Sequence, residues 1–552
     1  MQTLNSILAA RARTEGQRTA YTFVTSATDP GVCISYQQLH ESSLQIARRV
    51  RAMVEPGERA LLLYPAGLPF IGAFFACLAA KVIAVPVSLP RRRSPASKIA
   101  AIVRDAQPAL VLTLATYRPA LQDWDLAHLP CLATDELPEP DGPTADSPGH
   151  GDQKPGAVAF LQYTSGSTGA PKGVMVTHGN LSHNSACIQA AFQLDESSVS
   201  VCWLPHYHDM GLIDGILQPL YSGFHGVLLA PETFGKRPAV WLQLIDRYAA
   251  THSGGPNSAY EQCSQRITPQ DLEGVDLSRW RSAYCGAEPI RANTLATFSR
   301  TFQPFGFQAA ALYPCYGMAE ATLMISGGQL DQPPTVISLE TPNRQLVACG
   351  HSWLGSELLI VDPETLSPCE PGQEGEIWTA GPSVALGYWR QEALSRQTFQ
   401  ATPNTGGPTA YLRTGDLGLL RDGQLYIAGR LKDLIIVHGQ NHHPQDLEAT
   451  IQRSHQALAA HRGAAFATGF DTQEKVVVVQ EVKRTQLAAL PQDALFRAMR
   501  EAVAREHGVS LAEIVLIRPA TLPLTSSGKI QRRQCRELYL QGALAIVAHW
   551  SS

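Results

Sequence analysis

The segment Tyr163-Thr-Ser-Gly-Ser-Thr-Gly-Ala-Pro-Lys-Gly173 constrains this chain more than any other. It places four hydroxyl residues and three glycines between an apolar run, Ala157 to Leu161, and a helix-like stretch after Thr177. Glycines such as Gly166 and Gly169 let backbone N–H groups come close to a ligand. The hydroxyls of Thr164, Ser165, Ser167 and Thr168 add donors, and Lys172 adds a point charge. Together they make an anion-binding nest suited to a polyphosphate. The order Gly166-x-x-Gly169-x-x-Lys172-Gly173 is not the G-x-x-x-x-G-K-[ST] of a P-loop. A flexible surface turn accounts for a shorter stretch, but not for this length and order.

The surroundings point to an α/β protein. Ala60 to Tyr64 and Val82 to Val87 read as apolar strands with a helix, Pro69 to Ala80, between them. Continuous apolar strands joined by helices imply a parallel sheet covered on both faces. A chain of 552 residues exceeds one core, so two or more domains are expected. The 44% hydrophobic and 17% charged composition is that of an ordinary soluble globular protein. A net charge of -4 argues against nucleic acid as the main partner. The eleven cysteines are scattered without a C-x-x-C pair, which indicates reduced thiols in a cytosolic protein. No signal peptide is read at the N-terminus. Phe70 to Val87, the most apolar stretch, is cut by Lys81 and Pro86, so no membrane span is expected.

Further along, Arg91-Arg92-Arg93 reads as a solvated basic turn, and Pro138 to Pro155 as a surface loop. Val199 to Leu204 is a strand, followed by Pro205-His206-Tyr207-His208-Asp209-Met210-Gly211. Without a third ligand or a nucleophile motif, its two histidines and aspartate do not make a metal site or triad. The apolar run Met210 to Leu220 fits a wall for an aliphatic chain, and core packing would look the same. Arg281 to Cys285 leads into Gly286-Ala287-Glu288-Pro289, at the strand end where α/β folds place nucleotides. In Tyr316-Gly317-Met318-Ala-Glu320, Tyr316 can stack on a base and Glu320 can hold a hard cation. From Leu354 the texture changes to short antiparallel strands: Leu358 to Val361, Gly375 to Gly381 and Leu417 to Ile427, with Asp422-Gly423 as a hairpin turn. Asp416 can accept both hydroxyls of a ribose. About 120 residues then form a βαβαβ-like unit, with strands Leu434 to Val437, Lys475 to Val482 and Ile514 to Arg518. Its amphipathic helices are Leu447 to Ser454 and Leu495 to Glu506, and Thr525-Ser-Ser-Gly-Lys529 closes it.

These segments resemble the adenylate-forming enzymes, the superfamily of acyl-CoA synthetases, peptide-synthetase adenylation domains and beetle luciferases. The resemblance implies doubly wound α/β sheets in a large N-terminal domain, residues 1–432, with a small β-barrel subdomain at about 354–430. A small mobile α+β C-terminal domain, 433–552, would follow the hinge Asp433. It also implies ATP as cosubstrate, with Mg²⁺ on Glu320 and Thr168. Thr164 to Gly169, Lys172, Gly286, Ala287, Glu288, Tyr316, Gly317, Met318, Asp416 and Arg430 would bind the nucleotide. Lys529, Glu320 and His208 would be catalytic.

Ser253-Gly-Gly-Pro-Asn-Ser-Ala-Tyr-Glu261, the stretch Leu434 to Glu448 and the Lys529 tail look like the fatty acyl-AMP ligases. That branch implies a fatty acid as substrate and a separate acyl carrier protein as acceptor. It also implies an insertion disfavouring CoA, which residues 327–353 supply in short form. Ser258 stands where an aromatic residue is usual. A fatty acyl-CoA ligase and a phosphate-binding NTPase without ligation remain as alternatives at this stage. No serine lies in a carrier-like setting, so the acceptor thiol is expected on another molecule. A cytoplasmic monomer is expected.

Overall fold

A computed structural model describes residues 2–90, 97–137, 153–164, 171–339, 344–437, 440–469, 475–525 and 528–552. The alternation read near the N-terminus is present as strand Arg59–Leu63, helix Leu68–Ala80 and strand Ile83–Val87. They belong to a six-stranded sheet ordered Cys131–Ala133, Leu110–Thr113, Arg59–Leu63, Ile83–Val87, Val158–Thr164 and Lys172–Thr177. Its strands run parallel except for the last pair, which is antiparallel. A second, eight-stranded sheet has His225–Leu229, Val199–Cys202, His252–Gly255 and Ser282–Cys285 among its parallel strands, with antiparallel edges.

Helix Leu68–Ala80 is apolar on every side because it lies between the two sheets. Its Phe70, Phe74 and Phe75 share one core with Leu62 of the first sheet and Tyr21 of the second. Helix His178–Phe192 begins on a capping box made by Thr177 and Asn180. Its buried Asn184 amide donates to the Met324 carbonyl and to Ser383, tying the helix to the edge of the larger sheet. Among the described residues, no helix is long and apolar enough to cross a membrane.

The expected β-rich subdomain is a four-stranded antiparallel sheet of Glu357–Val361, Gly375–Ala380, Leu412–Arg421 and Gln424–Arg430. Asp422 and Gly423 make the turn, both left-handed at φ 52° and 73°, as a type I′ hairpin requires. Ahead of it, hairpin Val336–Leu339/Arg344–Val347 lies within the expected insertion. Ile337, Leu339, Leu346 and Ala348 pack there on Leu419 and Tyr426.

After Asp433 a further four-stranded sheet is built from Leu458–Thr468, Lys475–Val482, Leu511–Ile517 and Ile546–Ser551. In Lys475–Val482 the side chains alternate between two cores. Val476 and Val478 pack toward helices Pro444–Ser454 and Gln492–His507, while Val477 and Val479 meet Cys535 of helix Arg532–Leu540. This differs from the expected βαβαβ-like order. Leu458–Thr468 pairs antiparallel with its neighbour, and only Lys475–Val482 with Leu511–Ile517 runs parallel. The strand Leu458–Thr468 is hidden in the sequence because it holds five alanines and no valine or isoleucine.

Candidate active site

The carboxyl ends of the larger sheet, the antiparallel β-sheet and the C-terminal unit face one cavity of about 1150 Å³. Thr164, Lys172, His208, Gly286, Ala287, Glu288, Tyr316, Gly317, Met318, Glu320, Asp416, Arg430, Asp433 and Lys529 all line it. Ser165, Gly166, Ser167, Thr168 and Gly169 lie outside the described residues, as do Arg91, Arg92 and Arg93. The strands flanking the hydroxyl loop are nonetheless clear. Thr164 pairs with Lys172 across an antiparallel ladder, so the loop joins two strands and not a strand to a helix. Lys172, at the start of the second strand, lines the cavity.

Lys172 places its ammonium 4.8 Å from the centroid of the Tyr388 ring. Tyr388 in turn donates its hydroxyl to Glu320 Oε1 at 2.8 Å. Burial pushes the Glu320 carboxyl pKa up, and the Tyr388 hydrogen bond pulls the other way. Glu320 follows a turn whose backbone leaves no room for a side chain at Gly317, where a Cβ would run into the Leu323 carbonyl.

A second cluster stands opposite. Tyr316 donates its hydroxyl to Asp416 Oδ2 at 2.7 Å, and Arg430 Nε donates to Asp416 Oδ1 at 2.9 Å. Asp416 and Arg430 are cross-strand partners of one antiparallel pair, so the sheet register itself brings the charges together. Asp416 raises the Arg430 pKa, which keeps the guanidinium charged throughout. Beneath them Glu376 accepts from Arg413 Nη2 at 2.7 Å, Trp378 Nε1 at 3.0 Å and the Gly415 amide at 3.1 Å. These bonds hold the Thr414–Asp416 backbone in place.

The third cluster comes from the strand–turn after Val199–Cys202 and from the C-terminal unit. Burial pulls the His208 imidazole down to about 4, with the Lys529 charge adding to this and Asp209 opposing it, so the ring is neutral near pH 7. Lys529 is exposed within the cavity that it lines, with the cavity walls around it. That enclosure lowers its pKa, against Asp209, Glu288 and Asp416, which favour the ammonium. A compact cation therefore faces the ring of carboxylates.

Contacts across the chain at Asp433 are polar. Arg532 grips both oxygens of Glu448, at 2.7 and 2.8 Å, and reaches Asp433 at 3.3 Å. His461 meets Arg291 and Glu261. Arg344 of the inserted hairpin pairs with Asp446 at 3.0 Å and donates to the Ala428 carbonyl.

Among the described residues, no group of three or more His, Cys, Asp or Glu is placed to hold a metal. Glu320 is a buried carboxylate facing the cavity. A Mg²⁺ bound mainly through substrate phosphates needs only one or two such ligands. The donor set fits that cation and not a protein-only cage.

Asp209, Tyr388, Arg532 and Glu376 were not singled out as site residues from sequence. Asp209 had a signal, its place beside His208. Tyr388, 68 residues from its partner Glu320, had none.

Residues 8–389 match the AMP-binding enzyme family, and residues 432–549 match the AMP domain of Disco-interacting protein 2-like proteins. The chain is 41% identical over 569 residues to JamA, a medium-chain-fatty-acid–[acyl-carrier-protein] ligase of Moorena producens, covering 98% of this chain and 96% of that protein. A solved fatty acid AMP ligase from Legionella pneumophila is 38% identical, with a TM-score of 0.75, over 100% of this chain and 98% of its own. A chain from a study of fatty acyl-adenylate ligases of E. coli and L. pneumophila superposes with a TM-score of 0.87 at 30% identity, covering 98% of each.

Proposed function

The chain belongs to the AMP-binding enzymes, on their fatty acyl-AMP ligase branch, and from that premise we propose a two-step ligation. A fatty acid and ATP become acyl-adenylate and pyrophosphate, and the acyl group then passes to the phosphopantetheine thiol of a separate acyl carrier protein. One observation carries the reading: a single cavity is lined by Lys172, Asp416, the buried carboxylate Glu320 and Lys529 of the C-terminal unit.

A carboxylic acid is a poor acylating agent. Its carboxylate oxygen attacks the α-phosphorus of ATP, the bond to the β-phosphate oxygen breaks, and pyrophosphate leaves with the electron pair. The site has to offset repulsion between carboxylate and triphosphate and to stabilise charge on an in-line phosphoryl transition state. Lys529 supplies a positive charge beside the reacting oxygens. Lys172 and the hydroxyl loop take the departing phosphates. Asp416 holds the ribose hydroxyls while Arg430 and Tyr316 fix its orientation, and the Tyr316 ring stacks on the adenine held by Gly286, Ala287 and Glu288. His208, neutral, shapes the entrance of the acid pocket without adding charge. Glu320 and Thr168 would hold a Mg²⁺, and the chemistry it would supply is positive charge against the phosphates.

Residues 1–432 and 433–552 act as two domains with Asp433 as the hinge. Rotation there withdraws Lys529 after adenylation and admits the thiol. Fatty-acid-dependent exchange of labelled pyrophosphate into ATP tests the first step. Exchange is expected with fatty acids and absent without them; acid-independent ATP hydrolysis with no exchange would return the protein to the NTPase reading.

A further inference from the structure

One side of the cavity is apolar, lined by Ile188, Phe192, Leu323, Met324 and Tyr284, and the buried carboxylate Asp214 is among its lining residues. Asp214 sits within Met210–Leu217, a π-helical stretch that is otherwise apolar apart from glycine. Single-turn π insertions are rare and cluster at functional sites, where they re-aim side chains. The stretch lies tight against its neighbours: a Cβ at Gly215 would meet Cys202 Sγ, and one at Gly211 the Pro205 carbonyl.

A carboxylate in an apolar wall is costly unless it is fully partnered. Asp214 is partnered. His252 Nε2 bonds Asp214 Oδ1 at 3.0 Å, and His252 Nδ1 bonds Ser282 Oγ at 2.7 Å. Burial raises the Tyr284 hydroxyl pKa, and the nearby Asp214 carboxylate adds to it. Phe192 packs over His252 and Tyr284, with ring centroids 4.8 and 6.0 Å away. The His252 bond, itself backed by Ser282, holds the carboxylate in the wall.

Its depth follows from the sheet. His252 and Ser282 are register partners at the amino ends of parallel strands His252–Gly255 and Ser282–Cys285. The reacting groups stand at the opposite, carboxyl ends, where Gly286 and Glu288 line the cavity. Four residues separate Ser282 from Gly286, roughly 13 Å at a strand rise of about 3.3 Å. A trans hydrocarbon with bonds of about 1.5 Å and angles of about 111° advances about 1.25 Å per carbon. The length of the strand therefore caps the arm at about ten carbons.

We propose that Asp214, held by His252, is the chain-length determinant of this enzyme, closing the acyl arm so that medium-chain acids are preferred over long ones. The inference rests on the fatty-acid-activating reading of the same cavity. A saturated series from butanoate to hexadecanoate, measured by pyrophosphate exchange with the wild-type enzyme, Asp214→Gly and Asp214→Asn, tests it.

Wild type should peak at octanoate or decanoate and fall by roughly tenfold or more at hexadecanoate. Asp214→Gly removes the wall and should raise kcat/KM for tetradecanoate and hexadecanoate by roughly tenfold, relative to octanoate. Asp214→Asn keeps the volume and should keep the wild-type profile. Equal wild-type activity on octanoate and hexadecanoate overturns the inference whether or not the variants fold. So does an Asp214→Gly enzyme that is active on octanoate with an unshifted profile. Exchange with fatty acids but no length preference removes this inference alone; no exchange with any fatty acid removes the functional reading and this inference with it.

Discussion

Tyr316→Phe separates two roles of one residue. The substitution keeps the ring that would stack on adenine and removes the hydroxyl that donates to Asp416 at 2.7 Å. Hydrogen bonds to charged groups contribute about 1.5–3 kcal/mol. Asp416 keeps its Arg430 partner at 2.9 Å, so the lower end applies. At 1.4 kcal/mol per tenfold, ATP affinity should fall by about tenfold. Asp416→Asn removes the charge and turns one acceptor oxygen into a donor, which on the proposed reading weakens the bonds to both ribose hydroxyls. About 3 kcal/mol, or roughly 100-fold, is expected there.

Loss of the Asp416–Arg430 ion pair adds little to that figure. The Arg430 side chain is 48% exposed and can turn toward water. Because Tyr316 works through Asp416, the double variant should be little worse than Asp416→Asn alone, a coupling that a double-mutant cycle reads directly. The assay is KM for ATP in pyrophosphate exchange, with direct ATP binding by calorimetry as a check. Additive losses, or an Asp416→Asn enzyme with unchanged ATP affinity, would refute the ribose assignment.

Further expectations concern Lys529, Asp433 and Arg344. Lys529→Ala should lower adenylation by roughly 10²–10³-fold with ATP binding nearly intact, since one preorganised contact to the transition state is lost. Because enclosure sets the Lys529 pKa below 10.5, wild-type adenylation should decline on the alkaline side earlier than an ordinary lysine would dictate. Stability has the opposite sign: between the lowered folded value and the ordinary unfolded one, the unfolded chain binds more protons, so this group's contribution rises with pH. Asp433→Pro fixes φ near roughly -65° and should spare adenylation while slowing thiol transfer, measured as separate half-reactions. Equal loss of both would make Asp433 merely structural. Arg344→Ala breaks the link from the inserted hairpin to Asp446 and should raise acyl-CoA formation relative to carrier loading by at least about fivefold, judged by mass spectrometry.

Local signals carried far into the structure where physics is local. The strand alternation, the type I′ turn at Asp422-Gly423 and the capped helix after Thr177 each depend on neighbours in sequence. The motifs also converge, since each ends a strand or a turn that faces the same cavity. What could not be read is what depends on distant pairing. Tyr388 reaches Glu320 across 68 residues, and His252 reaches Asp214 across 38. In the run Met210 to Leu220, Asp214 is a single charge whose partner no spacing reveals. The strand Leu458–Thr468 forms because Lys475–Val482 offers an edge and a core, overriding its alanine-rich local preference.

The central claim is that one cavity activates a fatty acid and delivers it to a carrier thiol. The most direct measurement incubates the enzyme with octanoate, ATP and Mg²⁺, adding either a phosphopantetheinylated carrier protein or CoA. Octanoyl-AMP, octanoyl-carrier and octanoyl-CoA are then quantified by mass spectrometry. Octanoyl-AMP is expected when no acceptor is present, its conversion to octanoyl-carrier when the carrier is added, and little octanoyl-CoA. Octanoyl-CoA as the dominant product would contradict the assigned acceptor, and absence of octanoyl-AMP under every condition would contradict the assigned chemistry.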